Sequence, residues 1–181
     1  KFTVKNSHHL KQKLDQLKLK PGKNKKMVLC TVDVRSMYPS INFNLIKKTI
    51  NWTAEKFQFN DADRKLLDQI MKLLESCNNL NVGQFLTKYY DFRVGEEEPG
   101  LVMGSQESAY LADQVMEVLY RWAEEKGLLK GHMFNYRDDG LYLQDFESEE
   151  EVKEWFGNLN SAVGGWTENK IVLELEYGQE V

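Results

Sequence analysis

The sequence has few cysteines and few prolines. Its 181 residues include two cysteines and three prolines. Cys30 and Cys77 lie within apolar or helical patterns and lack the spacing of metal ligands, so we expect reduced, buried thiols rather than a disulfide. A disulfide-stabilised fold is therefore not expected, and a chain of this length can bury an apolar core without one.

Long apolar runs are missing as well. No stretch approaches the ~20 consecutive apolar residues of a membrane-spanning helix, and no signal-peptide pattern is present. We therefore expect a protein inside the cell, nuclear or cytoplasmic, with no membrane partner. The length suits one domain, or one large piece of a longer protein.

Positive charge is scarce outside the first part of the chain. Residues 1–26 contain nine lysines and one aspartate, whereas the remainder contains 15 basic and 27 acidic residues. The basic segment could contact a polyanion or could be a solvated lysine-rich helix, and charge alone does not decide between them. The acidic remainder argues against simple coating of nucleic acid. It is compatible with a site where carboxylates hold divalent cations.

Apolar periodicity and capping residues predict an α+β fold, an antiparallel sheet with helices packed on one face. Asn42, Asn60 and Ser148 are the expected N-caps of three of the helices. The predicted helices cover about 7–20, 42–57, 61–76, 105–125 and 148–160. The predicted strands cover about 27–33, a pair within 80–94, 131–137, 140–146 and 171–177.

Three aspartates stand where predicted strands end. Asp33 ends the first strand within TVDVRSMYPSI, and Asp138 and Asp139 stand at a predicted hairpin tip within YRDDGLYL. Each has an ordinary explanation, a solvated strand end or an Asp-Gly turn. If the strands are neighbours, however, the carboxylates converge and repel one another. Divalent cations would relieve that repulsion, and a metal pair ~3.5–4 Å apart can promote phosphoryl transfer.

A third segment, PGLVMGSQESAYLADQVM, combines glycines with small residues at helical spacing. Gly100 and Gly104 allow close backbone approach. The small side chains are Ser105, Ser108, Ala109 and Ala112. They form a smooth helix face that could lie against a flat substrate such as a base pair, or could simply pack closely on a sheet.

The segments DVRSMYPSI, GLVMGS and YRDD, in this order, resemble motifs A, B and C of reverse transcriptases. The pattern is most similar to that of Penelope-like retroelements, with motif A at 31–41, motif B at 99–116 and motif C at 134–142. The resemblance implies a right-hand polymerase palm over 27–181, preceded by a basic helical segment at 1–26 that could be a remnant of the fingers. Full fingers and thumb would be absent.

The implied activity is that of an RNA-directed DNA polymerase, a nucleotidyltransferase that adds deoxynucleotides to a primer 3′ end with two metal ions. The resemblance makes Asp33, Asp138 and Asp139 the metal-binding carboxylates, with the backbone carbonyl of Val34 completing one shell. The cofactor would be Mg²⁺ or Mn²⁺. Lys170 lies near the motif D lysine that could protonate the leaving pyrophosphate.

The resemblance also implies a nucleotide site. Backbone amides near Ser36 and Met37 would meet the triphosphate, and Gly104 with Ser105 would border the nascent base pair. Tyr38, five residues after Asp33, matches the steric-gate position beneath the sugar. It could instead be a core aromatic at a strand–helix junction. The partners would be deoxynucleoside triphosphates and an RNA or DNA template with its primer, and the isolated chain would be poorly active.

Other functions stay open. Pro99, Gln106 and Arg137 depart from common reverse-transcriptase residues, so the chain could be a catalytically weak palm that binds nucleic acid or serves assembly. Motif A also resembles the DxxSLYPSI of family B DNA polymerases, but a DTDS hairpin and a helix with a triphosphate-facing lysine are not found. RNA-dependent RNA polymerases commonly have Asp where this chain has Tyr38.

Overall fold

The computed structural model describes residues 1–17, 19, 22–23, 25–86, 100–101 and 106–177. These residues form six helices and four strands. In chain order they are α1 Ser7–Asp15, β1 Lys26–Val34, α2 Met37–Ser40, α3 Phe43–Lys56, α4 Asp61–Leu86, α5 Gln106–Glu125, β2 His132–Tyr136, β3 Asp139–Phe146, α6 Glu149–Thr167 and β4 Leu173–Tyr177. They divide into two compact units, Lys1–Met37 with Ala112–Val181, and Tyr38–Leu111.

The first unit contains an antiparallel sheet with the strand order β2-β3-β1-β4. β1 is an interior strand, paired with β3 from Lys26↔Phe146 to Val32↔Gly140 and with β4 from Cys30↔Tyr177 to Val34↔Leu173. Its alternating, β-branched sequence suits an interior strand with one face buried. The predicted α+β class and antiparallel sheet are confirmed.

One face of the sheet, which we call the inner face, is covered by α5 and α6. Tyr142 of β3 stacks on Trp155 of α6, with ring centroids 4.5 Å apart, and Trp122 of α5 stacks on Trp166 of α6 at 5.4 Å. Cys30 points into this layer as a buried free thiol, as predicted, and burial raises its pKa to about 11. The side chain of Cys77 lies outside the described residues.

The opposite, outer face is partly covered by α1. The Leu10, Leu14 and Leu17 stripe packs against a cluster that includes Phe134 and Leu143 of the sheet. The expectation that helices pack on one face only is therefore wrong. The reason is that β2 and β3 carry apolar residues on both faces of the sheet. The leucine stripe of α1 covers those on the outer face.

The helices begin at the predicted caps, but α4 and α6 are longer than predicted, and α1, predicted to reach about residue 20, ends at Asp15. The side chains of Asn42, Asn60 and Ser148 accept hydrogen bonds from the backbone N–H groups of residues three positions later, at 2.9, 2.9 and 3.3 Å. α6 continues to Thr167, beyond the predicted end near 160. α4 continues to Leu86, so the strand predicted from 80 is wrong over 80–86, and the rest of that predicted pair, 87–94, lies outside the described residues.

The second unit contains a helical hairpin. α3 and α4 are joined by a short turn, and Arg64 of α4 donates hydrogen bonds to the carbonyl oxygens of Phe59 at 3.1 Å and Ala54 at 3.3 Å. The Ala54 carbonyl also accepts a hydrogen bond from the Phe59 N–H at 2.9 Å, so Arg64 adds a side-chain bond between α4 and the end of α3. Over the described ranges, no helix in either unit has both the length and the apolar composition needed to cross a bilayer.

Within the first unit, Glu117 of α5 binds the first residues of the chain. Its Oε2 accepts hydrogen bonds from the N–H groups of Phe2 and Thr3 and from the Thr3 hydroxyl, at 3.0, 3.1 and 2.9 Å. Burial raises the pKa of this carboxyl, but the hydrogen bonds that it accepts outweigh that effect and lower the pKa to about 2. A carboxylate that accepts several N–H bonds is favoured in its charged form.

We predict that Glu117→Gln lowers the free energy of unfolding at pH 7 by roughly 1–3 kcal/mol, because charge-assisted bonds are lost. The folded pKa lies below the ordinary value of 4.5. Glu117 therefore stabilises the fold fully above that value, and the contribution is lost as pH falls towards 2. Urea unfolding at pH 7 and pH 3 measures both effects. Glu154→Gln, at an exposed position of α6, is the control, and equal losses in the two variants would contradict the assignment.

Candidate functional site

Asp33 lies at the end of β1, on the outer face of the sheet. The flanking residues Val32 and Val34 are buried on the inner face, whereas Asp33 is exposed. Its Oδ1 accepts a hydrogen bond from the N–H of Val34 at 2.8 Å, and the strand register sets it opposite Glu174 of β4. Alternation along β1 thus directs the carboxylate away from the core.

The hairpin between β2 and β3 carries the other two aspartates. Tyr136 pairs with Asp139, which leaves Arg137 and Asp138 as the two turn residues. Arg137 has φ +57°, and the Asn135 side-chain amide donates a hydrogen bond to the Arg137 carbonyl at 2.9 Å. Asp139 is therefore the first residue of β3, and the Asp139-Gly140 dipeptide does not form the turn that it suggested.

Gly140 instead permits close approach of two strands. A Cβ at this position would lie 2.8 Å from the Val32 carbonyl oxygen and 2.6 Å from the Met133 methyl carbon. The backbone oxygen cannot move without disturbing the β1–β3 ladder. The glycine therefore keeps β3 close to β1 directly beside the carboxylates.

The pairing brings the three aspartates to one end of the sheet. Because Val32 pairs with Gly140, the register sets Asp33 beside Asp139, and both line a cavity of about 530 Å³ on the outer face. Burial raises the pKa of Asp139, and the negative charges of Asp138 and Asp33 raise it further. The Asp139 carboxyl is thus close enough to Asp138 and to Asp33 to be repelled by both.

Repulsion between these carboxylates does not by itself show a preformed metal site. Within the part of the chain that the structure describes, no group of three or more His, Cys, Asp or Glu side chains has the arrangement needed to hold a metal ion. The metal-binding role of Asp33, Asp138, Asp139 and the Val34 carbonyl stays a prediction.

The predicted nucleotide-binding residues are distributed over both units. Ser36 follows β1 with φ +49°, and Met37 is buried at the start of α2. Tyr38 belongs to the second unit, where its carbonyl accepts hydrogen bonds from the N–H groups of Ile41 at 3.3 Å and Leu101 at 2.9 Å. Gly104 and Ser105 lie outside the described residues, as does Pro99.

Lys170 lies in the turn that joins α6 to β4. Glu168 and Asn169 have φ +57° and +60°, and the Lys170 N–H donates to the Thr167 carbonyl at 3.1 Å. The turn leads into β4 at the same end of the sheet as Asp33, because Val34 pairs with Leu173. The expected role of Lys170 as a proton donor is not tested by this geometry.

Sequence reasoning missed two charged residues beside Asp33. Arg35 forms an ion pair with Glu174, and Glu174 lines the same cavity as Asp33 and Asp139. The alternation in LELEY of β4 could have placed Glu174 and Glu176 on one face, since only the leucine positions suit a buried face. Their proximity to Asp33, however, depends on the β1–β4 register, which the pattern of β4 alone does not contain.

Charges of the site affect the pKa of two residues of α5, Tyr120 and Asp113. The Tyr120 hydroxyl is buried, and among the described residues it has no hydrogen-bond partner. Burial raises its pKa, and the negative charge of Asp33 adds to the effect. Burial likewise raises the pKa of Asp113 on α5, while the positive charge of Arg137 opposes the rise. The charge on Arg137 is therefore partly balanced from the side of α5.

Comparison with known proteins adds no relative. A scan against models of protein families finds no match, and a search of curated proteins finds none. The resemblance to reverse transcriptases therefore rests on the motifs themselves. Of these, A and C lie on neighbouring strands, whereas part of B lies outside the described residues.

We predict that Asp33→Asn lowers the pKa of Asp139 towards its ordinary value of 3.8. Removing a nearby negative charge favours ionisation of the carboxyl that remains. Carbon-detected NMR titration of the aspartate carboxyl groups measures the change, with Asp15→Asn on α1 as a charge-matched control. An Asp139 pKa that is the same in both variants and the parent would mean that these carboxylates do not interact.

Proposed function

We propose that this chain is the palm of a reverse transcriptase, an RNA-directed DNA polymerase of the kind found in Penelope-like retroelements. One observation carries the proposal. Asp33 of motif A and Asp139 of motif C lie on adjacent antiparallel strands, and Asp138 lies in the turn just before Asp139, at the same end of a four-stranded sheet. Motifs that are about a hundred residues apart in sequence are brought together in the way that a shared catalytic centre requires.

The donor set suits hard divalent cations. Asp33, Asp138 and Asp139 offer only oxygen ligands, as Mg²⁺ and Mn²⁺ prefer, and the Val34 carbonyl could supply another. Burial raises the pKa of Asp139, and the negative charges of Asp138 and Asp33 add a repulsion that a cation would relieve. When bound, two such ions would activate the primer 3′-hydroxyl and stabilise the charge that develops on the leaving pyrophosphate.

The chain's own residues would bind and orient the substrates. The N–H groups near Ser36 and Met37 would donate hydrogen bonds to the triphosphate, and Gly104 with Ser105 would border the new base pair. Lys170 would donate a proton to the leaving pyrophosphate oxygen, as a general acid does. The expected partners are an RNA or DNA template with a primer and deoxynucleoside triphosphates.

A second candidate is a catalytically weak palm that binds nucleic acid or supports assembly. Its support is Arg137, a bulky cation with φ +57° at the tip of the motif C hairpin. A non-glycine residue in this conformation is uncommon, and the backbone strain has a cost. On this hypothesis the chain binds primer–template without extending it.

We predict deoxynucleotide incorporation by a chimera in which residues 27–181 replace the palm of a complete reverse transcriptase, and little or none by the isolated chain. Asp33→Asn or Asp138→Asn should abolish incorporation by the chimera, because each removes a metal ligand. Primer extension with Mg²⁺ and with Mn²⁺ measures this. Asp145→Asn, at the opposite end of β3, is the control.

The outcomes separate the two candidates. Incorporation that survives both substitutions would contradict the two-metal role of these aspartates. A chimera that folds and binds primer–template but incorporates nothing under either metal would favour the weak palm. Efficient extension by the isolated chain would show that fingers and thumb are not needed.

We further predict that Tyr38→Ala in the same chimera admits ribonucleotides. If the ring fills the space of the 2′-hydroxyl, its removal should reduce the deoxy-to-ribonucleotide ratio of kcat/KM by about tenfold or more, equivalent to roughly 1.4 kcal/mol of lost discrimination. Tyr38→Phe, which keeps the ring, is the matched control. If Tyr38 is only a core aromatic, Tyr38→Ala should slow both nucleotides equally and leave the ratio unchanged.

A further inference from the structure

A cation lies on the outer face immediately after Asp33. Arg35 follows the last residue of β1, and its side chain pairs with Glu174, which lines the outer-face cavity together with Asp33. Its Nε and Nη2 both contact Oε1 of Glu174, the residue opposite Asp33 on β4. The guanidinium of Arg35 is therefore held beside the carboxylate cluster by a neighbour of Asp33.

The backbone of Arg35 is anchored while its side chain is accessible. The Arg35 N–H donates to the Val172 carbonyl at 3.0 Å, which fixes the residue at the end of the β1–β4 ladder. The side chain of Arg35 is 65% exposed and that of Glu174 is 43% exposed. Exposed ion pairs contribute little to stability. If the guanidinium exchanges Glu174 for another anion, water can solvate the glutamate, because that side chain is partly exposed.

The negative charges around the site would repel a triphosphate unless a cation such as Arg35 were nearby. Asp33, Asp138, Asp139 and Glu174 are all acidic, and a nucleoside triphosphate is a polyanion that these side chains repel. Divalent cations would offset part of that repulsion. A guanidinium offers planar, paired donors to phosphate oxygens and binds a polyphosphate more strongly than a single exposed carboxylate.

We propose that Arg35 binds the terminal phosphates of the incoming deoxynucleoside triphosphate, and that Glu174 holds the guanidinium beside the site until the triphosphate takes its place. Arg35 is the substrate-binding residue in this account, and Glu174 is a positioning residue. The inference rests on the proposed function, and it adds a phosphate ligand that motif A does not itself require. The competing explanation is a purely structural ion pair between the ends of β1 and β4.

The test compares a triphosphate with a monophosphate. The isolated chain, labelled with ¹⁵N, is titrated with dTTP and separately with dTMP, each with Mg²⁺, and dissociation constants are obtained from protein NMR shifts, which detect weak binding. Arg35→Gln should weaken dTTP binding by about tenfold, the loss expected for a charge-assisted phosphate contact, and leave dTMP binding unchanged. Arg35→Lys should be intermediate, because it keeps the charge without the fork.

Glu174→Gln distinguishes the proposal from a purely structural role, which predicts no change in dTTP affinity. Removing the carboxylate that competes for Arg35 should tighten dTTP binding and leave dTMP binding unchanged. Lys11→Gln is the control, since it removes one positive charge from another exposed ion pair of the first unit. If Arg35→Gln and Glu174→Gln lower the unfolding temperature alike and change neither nucleotide, the pair is structural and the proposal is overturned.

Asp33→Asn separates this proposal from the one on which it rests. If the parent chain binds dTTP in a Mg²⁺-dependent manner, Asp33→Asn abolishes that dependence, and Arg35→Gln has no effect, then Arg35 is not a phosphate ligand but the proposed function stands. If the parent chain shows no Mg²⁺-dependent binding of dTTP, the role of Arg35 fails, whereas the proposed function is decided separately by deoxynucleotide incorporation in the chimera.

Discussion

The pairing of β1 with β3 and β4 is the constraint on which the site depends. β1 contributes Asp33, and its two neighbours contribute Asp139 and Glu174 at adjacent register positions. A slip of one residue would turn Asp33 into the apolar inner layer, because strand side chains alternate with a period of two. The register is held by burial of Val32 and Val34, which leaves the intervening carboxylate no alternative but the outer face.

Two strained turns border the carboxylates. Ser36 follows the Asp33 strand with φ +49°, and Arg137 precedes Asp138 with φ +57°. Each conformation costs on the order of 1–3 kcal/mol for a residue other than glycine, and it persists only where surrounding contacts determine it. At the hairpin, the bond from the Asn135 side chain to the Arg137 carbonyl is one such contact. Strain and like charge together make this end of the sheet unfavourable for the fold alone, and both support the proposal of a functional site there.

Local sequence patterns predicted much of the fold and the position of the three aspartates near strand ends. The caps at Asn42 and Asn60 and the β1 strand follow from short-range chemistry that the sequence displays directly. Residues 80–86 were misassigned because apolar and polar residues there fit a strand about as well as a helix, and the continuity of α4 decides between them. Periodicity marked the leucine stripe of α1 but could not indicate which sheet face it covers.

Local sequence patterns could not predict the contacts of Arg35, for a related reason. Glu174 is 139 residues away in sequence, and only the β1–β4 register brings the two together. The same holds for the balance of charge between Arg137 and Asp113, which joins a hairpin to a helix. Long-range ion pairs of this kind depend on how elements pack, whereas the motif residues are recognised one segment at a time.

The central claim is that the aspartates of motifs A and C jointly bind divalent metal. The most direct test is a crystal structure of the chain with Mn²⁺ and a deoxynucleoside triphosphate, using the anomalous signal of manganese. The account predicts a manganese peak in contact with Asp33 and with Asp138 or Asp139, next to the triphosphate. Manganese found only elsewhere, or Asp33 and Asp138 more than about 10 Å apart, two strand spacings, would contradict it.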